Sequence, residues 1–347
     1  MGVLVGHYVG LIKYASAIDV PRWLINFVNE FPLIFNEAFW LQLFFIASGY
    51  LLAKTKIDSI KGLFVKCIRR FFRLAFPIFF SYCVIYSLGI AVGFHNSQTN
   101  VIFSNSWFQG AFSEQYGIDT VLLAPIDVLI FGNTKLNSPY WVLRHMFFAS
   151  ILIYVFNYAR GVLLKGEQNL FLDVFVVFFA LFMPVPQVIS VCLLGMEVYN
   201  MGVPVMIWVR KSINNLKLFE IVILCVVLVI TALNPQMVTY VVLFSFIILV
   251  GIDFKFLQNK LFVFLGNISF GIFSFHWPII CSIGASYLLW MTSWTSLAIS
   301  LMITYVICLL LTILMSLINY NTFEKLSNQY TEKITDWLCC VRSKVSA

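Results

Sequence analysis

The sequence predicts an all-α fold, a polytopic transmembrane helix bundle of about ten spans, on three observations. First, apolar residues make up 61% of the chain and charged ones 11%, where a soluble domain carries roughly 25% charge. So little charge cannot build a solvated surface, and lipid has to be the main solvent. Second, the apolar residues gather into runs long enough to cross a bilayer core. Third, the basic residues fall in every second connection between those runs, the pattern of a fixed membrane orientation.

A span needs roughly 17 to 25 mostly apolar residues. Candidates lie at 1–16, 35–53, 74–94, 139–158, 170–187, 188–208, 218–234, 237–252, 261–288 and 295–319. Two boundaries are tight turns, Pro184-Val185-Pro186-Gln187 and Asn234-Pro235-Gln236, where proline and polar residues stop one helix and start the next. The n-region of a cleavable signal peptide is missing, because apolar residues begin at Gly2.

Orientation follows from Lys and Arg. The segment 54–73 holds Lys54, Lys56, Lys61, Lys66, Arg69, Arg70 and Arg73. Arg160 and Lys165 mark the next basic connection, followed by Arg210, Lys211 and Lys217, then Lys255 and Lys260, then the tail with Lys325, Lys333, Arg342 and Lys344. The intervening connections carry almost no positive charge, so both termini are expected in the cytoplasm. The chain reads as one transmembrane domain, 1–320, with an outside loop at 95–138 and a short cytoplasmic tail at 321–347. Within that loop Ile118 to Phe131 is apolar but too short to span, and reads as an interfacial or re-entrant piece. The net charge of +7 does not point to nucleic acid, because it sits in short blocks that fix orientation. The eight cysteines include no Cys-x-x-Cys pair, so neither a zinc site nor thiol redox chemistry has a ligand set.

Ionisable groups inside spans are costly, and each either pairs within the bundle or serves a function. Five stand out: His7, Arg144, His145, Glu197 and His276. Histidine titrates near neutrality, so it can take a proton from a hydroxyl and return it. Arginine keeps its proton and serves as a fixed cation. Such a set suits proton-transfer chemistry in the membrane, and equally a proton relay in a transporter. His95 reads as solvated in its loop, and Glu220 and Asp173 as solvated ends of helices. Arg69, Arg70 and Arg73 enter the third span beside Lys66, within about one helical turn, with Arg70 and Arg73 at i and i+3. A planar guanidinium fork suits phosphate, so this block reads either as an orientation signal or as the seat of a cytoplasmic phosphorylated donor.

These features fall in a known order. Phe44-Phe45-Ile46-Ala47-Ser48-Gly49-Tyr50 resembles the F-F-x-x-S-G-[FY] element of the acyltransferase 3 family of integral membrane acyltransferases. Arg69-Arg70-Phe71-Phe72-Arg73 with Pro77 resembles its R-x-x-R element, and Trp141-Val142-Leu143-Arg144 its W-x-L element. Gly266-Asn267-Ile268-Ser269-Phe270-Gly271 with His276-Trp277-Pro278 resembles G-x-I-S-[YF]…H-x-P. Phe323-Glu324-Lys325 resembles a late glutamate-containing element, and His7 matches the histidine of R-x10-H. There are two departures. The arginine of R-x10-H falls before Met1, so the natural reading frame is expected to continue upstream and encode it. Met146 stands where many glycan O-acetylating members carry Glu.

The resemblance implies transfer of an acyl group, acetyl above all, from acetyl-CoA or another acyl-CoA to a hydroxyl of an extracytoplasmic glycan or lipid-linked sugar. The setting expected is a bacterial cytoplasmic membrane, with no metal. On that reading Arg69, Arg70, Arg73 and Lys66 hold the CoA phosphates, and His7 is the general base, with His276 as second base or relay. Arg144 stabilises the oxyanion, and Glu197 orients a histidine or balances Arg144. A covalent acyl-histidine is a further route. The alternative from a different class is a transporter or flippase for a lipid-linked saccharide, with the same groups as proton relay.

Overall fold

The computed structural model describes residues 4–8, 22, 26, 37–102, 106–113, 117–164, 170–202 and 259–333. The expected spans at 218–234 and 237–252, the turn at Asn234-Pro235-Gln236, Glu220 and most of the first span lie outside the described residues. So do the basic residues Lys165, Arg210, Lys211, Lys217, Lys255, Arg342 and Lys344.

The described residues are helical, without strands. Helix α1 is Glu37–Ala53, α2 Ile60–Ala91, α3 Ser106–Gly110 and α4 Ile118–Ile126. Then come α5 Trp141–Leu163, α6 Leu170–Phe182, α7 Gln187–Glu197, α8 Lys260–Asn267, α9 Ser269–Ile279, α10 Ala285–Met291 and α11 Leu297–Asn319. Among the described residues four helices are long and apolar enough to cross a membrane: Ile60–Ala91, Ser138–Val162, Ser269–Met291 and Leu297–Lys333. Shorter apolar helices occupy Ala38–Ala53, Phe171–Phe182 and Gln187–Met201.

Three boundaries differ from expectation for local reasons. The basic segment 54–73 is not a connecting loop beyond Ser59, because α2 begins at Ile60 and runs for 32 residues, about 48 Å. Its Lys, Arg, Phe and Leu residues are compatible with helix, and only Pro77 interrupts the ladder. The span expected at 261–288 is broken at Ile268, between α8 and α9, just after Gly266-Asn267. Helix continues past Asn319 through a π turn at Tyr320–Glu324 and on to Lys333, so the segment beyond Tyr320 begins as helix. By contrast the proline turn before α7 lies where expected, with Pro186 at the N-cap and Gln187 first in the helix.

The chain divides into two compact units. One comprises Met1–Glu37, Phe71–Arg144 and Lys260–Ala347, the other Ala38–Arg70 and His145–Asn259. The second unit is built on glycine contacts. A Cβ at Gly49 would fall on the backbone carbonyl of Cys192, and one at Gly195 on that of Ile46. The Ser-Gly step of α1 is therefore a place where two backbones touch, as small residues permit between helices in lipid. Ser48 Oγ donates back to the Phe44 carbonyl at 2.8 Å. The Asn157 amide donates to the carbonyls of Leu52 at 3.1 Å and Thr55 at 3.0 Å, satisfying acceptors that the end of α1 leaves open.

In the first unit α9 and α11 make the same kind of contact, since a Cβ on Gly271 would lie 2.7 Å from Ser316 Cα. In the π turn Ile280–Gly284 after α9, a Cβ on Gly284 would lie 2.7 Å from the Cys308 side-chain sulfur. Leu4 packs with Ile268 and Ile272 in a buried cluster. Tyr8 donates its hydroxyl to the Leu301 carbonyl at 2.6 Å. These contacts seat the helical residues 4–8, and therefore His7. Helix α4, with the π turn Asp127–Phe131 that follows it, buries Val121, Ala124, Val128 and Leu129 but exposes Ile118, Leu122, Leu123 and Ile126. A piece apolar on both sides calls for an apolar surrounding on its exposed side.

Candidate active site

The chemistry of α9 begins with Pro278. Proline has no N–H, so the Ser274 carbonyl loses its helical donor. The structure gives this carbonyl a replacement partner: Asn137 Nδ2 donates to it at 3.0 Å, with Asn137 wholly buried. A buried carbonyl needs a partner, and the turn before α5 supplies one. The same turn places Tyr140, whose hydroxyl donates to Ser81 Oγ at 2.7 Å.

The His276 ring is fixed by its own helix. Its Nδ1 lies 3.0 Å from the Ile272 carbonyl. A carbonyl only accepts, so Nδ1 carries the proton and the lone pair of the neutral ring falls on Nε2. The side chain is wholly buried, and Nε2 makes no hydrogen bond among the described residues. An imidazole nitrogen with a lone pair and no structural duty is what a general base requires.

His7 lies against it. The two imidazoles stack with centroids 5.2 Å apart and planes at 16°. His7 also stacks on Trp107 at 5.2 Å and 29°, and its ring is 5.6 Å from Trp277. Trp107 and Trp277 stack in turn at 4.0 Å. Two residues that the sequence set 269 positions apart as proton-transfer candidates thus share one aromatic stack. Trp107 and Asn137 were not foreseen. For Asn137 the usable signal was Pro278, which obliges some donor to reach residue 274. For Trp107 it was a tryptophan among Ser104, Asn105, Ser106 and Gln109 in the outside loop.

The other candidates are held separately. Lys66, Arg69, Arg70 and Arg73 all lie on α2, and their i, i+3, i+4, i+7 spacing puts them on one helical face. Arg70 Nε donates to Ser150 Oγ at 3.0 Å, and Ser150 passes its own proton to the Met146 carbonyl at 2.6 Å. Arg73 is exposed and acts electrostatically on Glu324, which Asn319 Nδ2 holds at 2.6 Å. Arg144 is exposed, its side chain laid over Gly132. A Cβ there would come within 2.8 Å of Arg144 Cδ, and Gly132 has φ +72°. Glycine at this helix end therefore serves both the left-handed turn and the arginine above it.

Glu197 is buried and takes Arg160 as its partner, with Nη2 to Oε1 at 3.1 Å, helped by Asn200 Nδ2 at 3.4 Å. Arg160 also pairs with Asp173. Asp173 is therefore not a solvated helix end: it is 3% exposed, and the half-buried Arg160 neutralises it. Arg160, read from sequence as an orientation charge, is the centre of this triad.

A family model described as an acyltransferase domain matches residues 1–314 of the chain. No curated protein and no solved structure matches it closely enough to count as a relative.

Proposed function

Because the chain belongs to the acyltransferase 3 family, we propose that this membrane acyltransferase moves an acyl group, acetyl first among them, from acyl-CoA to a hydroxyl of an extracytoplasmic glycan or lipid-linked sugar. The observation that carries the reading is the His7–His276 stack with a lone pair fixed on His276 Nε2. His7, the half-buried ring, takes the proton of the acceptor hydroxyl. The oxygen attacks the thioester carbonyl, the tetrahedral intermediate collapses, and the C–S bond breaks. The imidazolium returns its proton to the departing thiolate, so the enzyme ends as it began. His276, neutral and held by its own helix, offers a second acceptor in the same stack. The guanidinium and ammonium face of α2 supplies fixed cations suited to the phosphates of CoA. Arg144, exposed over Gly132, is a fixed cation suited to an oxyanion or a carboxylate.

The test uses purified protein in vesicles, supplied with acetyl-CoA and a lipid-linked saccharide. Thiol release that matches acetylated product mole for mole, without any ion gradient, supports the reading, and His7→Ala should abolish it. Saccharide movement without thioester loss would replace it with the transporter reading. Arg73→Lys is expected to raise KM for acetyl-CoA by about tenfold or more, since the bidentate fork is lost. An unchanged KM would return the α2 arginines to a purely orienting role.

A further inference from the structure

Residues 94–102 and 106–112, the latter carrying Trp107, are tied down more firmly than a connecting loop needs. Asn96, 1% exposed, directs its side-chain amide at three carbonyls: Phe108 at 2.6 Å, Gln109 at 3.3 Å and Ala111 at 2.8 Å. Phe108 and Gln109 lie in the last turn of α3 and Ala111 just beyond it, so one amide ties down the end of the helix. Phe94 and Phe112 stack at 4.0 Å with planes 4° apart. Phe112 sits at φ 56°, the left-handed region that a phenylalanine occupies only when its surroundings impose it. The His95 N–H donates to the Cys281 carbonyl at 3.1 Å, in the π turn that directly follows α9. The strap is thus fastened to the element that carries His276, and the residue it delivers is Trp107, face-on to His7.

Simple space filling accounts poorly for this. Phe108 on the same short helix is 1% exposed and packs edge-on against Trp277, which is enough to seat α3. Trp107 beside it is 43% exposed, yet it is the ring stacked on His7. An indole face carries negative potential and attracts a cation centred within about 6 Å of it. Neutral imidazole gains little from such a face, whereas imidazolium gains more. His7 also stacks on His276, a neutral ring whose proton is committed to the Ile272 carbonyl. Of the two stacked imidazoles, His7 is therefore the one with the Trp107 indole laid against it.

We propose that Trp107 is a positioning residue that clamps His7 in the stack and stabilises the imidazolium formed when His7 takes the acceptor's proton, with Asn96 holding Trp107 in place. The inference rests on the acyl-transfer reading of the histidine pair. It concerns the half of the cycle in which charge is separated, so it predicts an effect on turnover rather than on the binding of either substrate.

The experiment replaces Trp107 site-specifically with mono-, di- and trifluorotryptophan, which keep the ring shape while draining its negative face. Thiol release from acetyl-CoA in the presence of acceptor is measured in vesicles. The expected result is a stepwise fall of log kcat with each fluorine, about tenfold across the series, with KM for both substrates and thermal stability unchanged. Trp107→Phe should retain more turnover than Trp107→Leu. Asn96→Ala should lower kcat in the native protein but add little in the Trp107→Leu background, because it acts through the same ring. A flat fluorotryptophan series in an active enzyme would overturn the proposal and leave acyl transfer standing. Wild-type protein that consumes no acetyl-CoA would overturn the acyl-transfer reading and the proposal with it.

Discussion

Each compact unit buries one group of ionisable side chains, and the two groups are built on opposite plans. In the second unit Arg160 meets Asp173 and Glu197, so opposite charges meet directly. In the first unit His7 and His276 stack as rings, one nitrogen of His276 is committed to a carbonyl, and the other makes no bond among the described residues. Both groups sit in apolar helices and bear the same cost of desolvation. The triad offsets that cost by pairing its charges. The histidine pair avoids it while neutral and leaves a lone pair available for chemistry. A buried ionisable group with its charge answered is read as architecture, and one with an uncommitted nitrogen as chemistry.

The largest expected effect tests the chemical half of this contrast. His276→Ala should lower kcat for acyl transfer by about 10²–10⁴-fold, the range a general acid–base group supplies. The protein should also lose about 2–4 kcal/mol of stability, since the change removes a hydrogen bond and leaves a cavity at a wholly buried site, so turnover is compared per folded molecule. His276→Gln should melt like the native protein and remain slow. A fast His276→Ala enzyme would put His276 in the same class as the triad.

The architectural half breaks in the other direction. Arg160→Met leaves two buried carboxylates without a cation, and should destabilise the protein by about 3–5 kcal/mol. Combining Arg160→Met with Asp173→Leu and Glu197→Leu should recover most of that stability, because an ion cluster and a well-packed apolar cluster are often close in energy. Turnover per folded molecule should stay within a few-fold of native. Chemical unfolding with a parallel activity assay checks both. A triple variant that is stable but inactive would move Glu197 into the catalytic machinery.

The glycine seam between α1 and α7 gives a smaller effect. Gly49→Ala pushes a methyl group into the carbonyl of Cys192, where no rotamer can move it away. The cost should reach the upper end of the about 1–3 kcal/mol typical of overpacking. Gly266→Ala, where no heavy atom lies within 4 Å of a new Cβ, should be near neutral. Equal melting temperatures for the two variants would remove the seam from the account.

The same contrast explains what could be read in advance. The proline turn before α7 and the tight Ser48-Gly49 step are local, and sequence carries local rules. The two histidines were legible because an ionisable group in an apolar run is conspicuous whatever it touches. The triad was not. Arg160 near a helix end looks the same whether it faces the cytoplasm or a carboxylate, and Asp173 in the first turn of α6 looks like a solvated cap. Which of these holds is decided by contacts between helices far apart in the chain. Trp107 was missed for the same reason, since its partners His7 and Trp277 lie 100 and 170 positions away.

The smallest predicted effect concerns the support behind His276. Pro278 leaves the Ser274 carbonyl without a helical donor, and Asn137 supplies a replacement at 3.0 Å. Asn137→Ala should leave that carbonyl buried and unsatisfied, at about 1–2 kcal/mol. Pro278→Ala restores an N–H at the right position in the helix, so it should rescue the Asn137→Ala background to within about 0.5 kcal/mol of the Pro278→Ala protein alone. A double-mutant cycle on melting in detergent measures this coupling directly. If the two changes add, Asn137 serves some other purpose, and the Ser274 carbonyl is satisfied in another way. If they compensate, the proline and the asparagine form one device, in which the carbonyl that the proline leaves without a helical donor is answered from the turn before α5. The rescued double variant then separates stability from placement. It has the native count of satisfied carbonyls but lacks the proline. A loss of turnover in that variant alone would show that Pro278 serves to place His276 against His7.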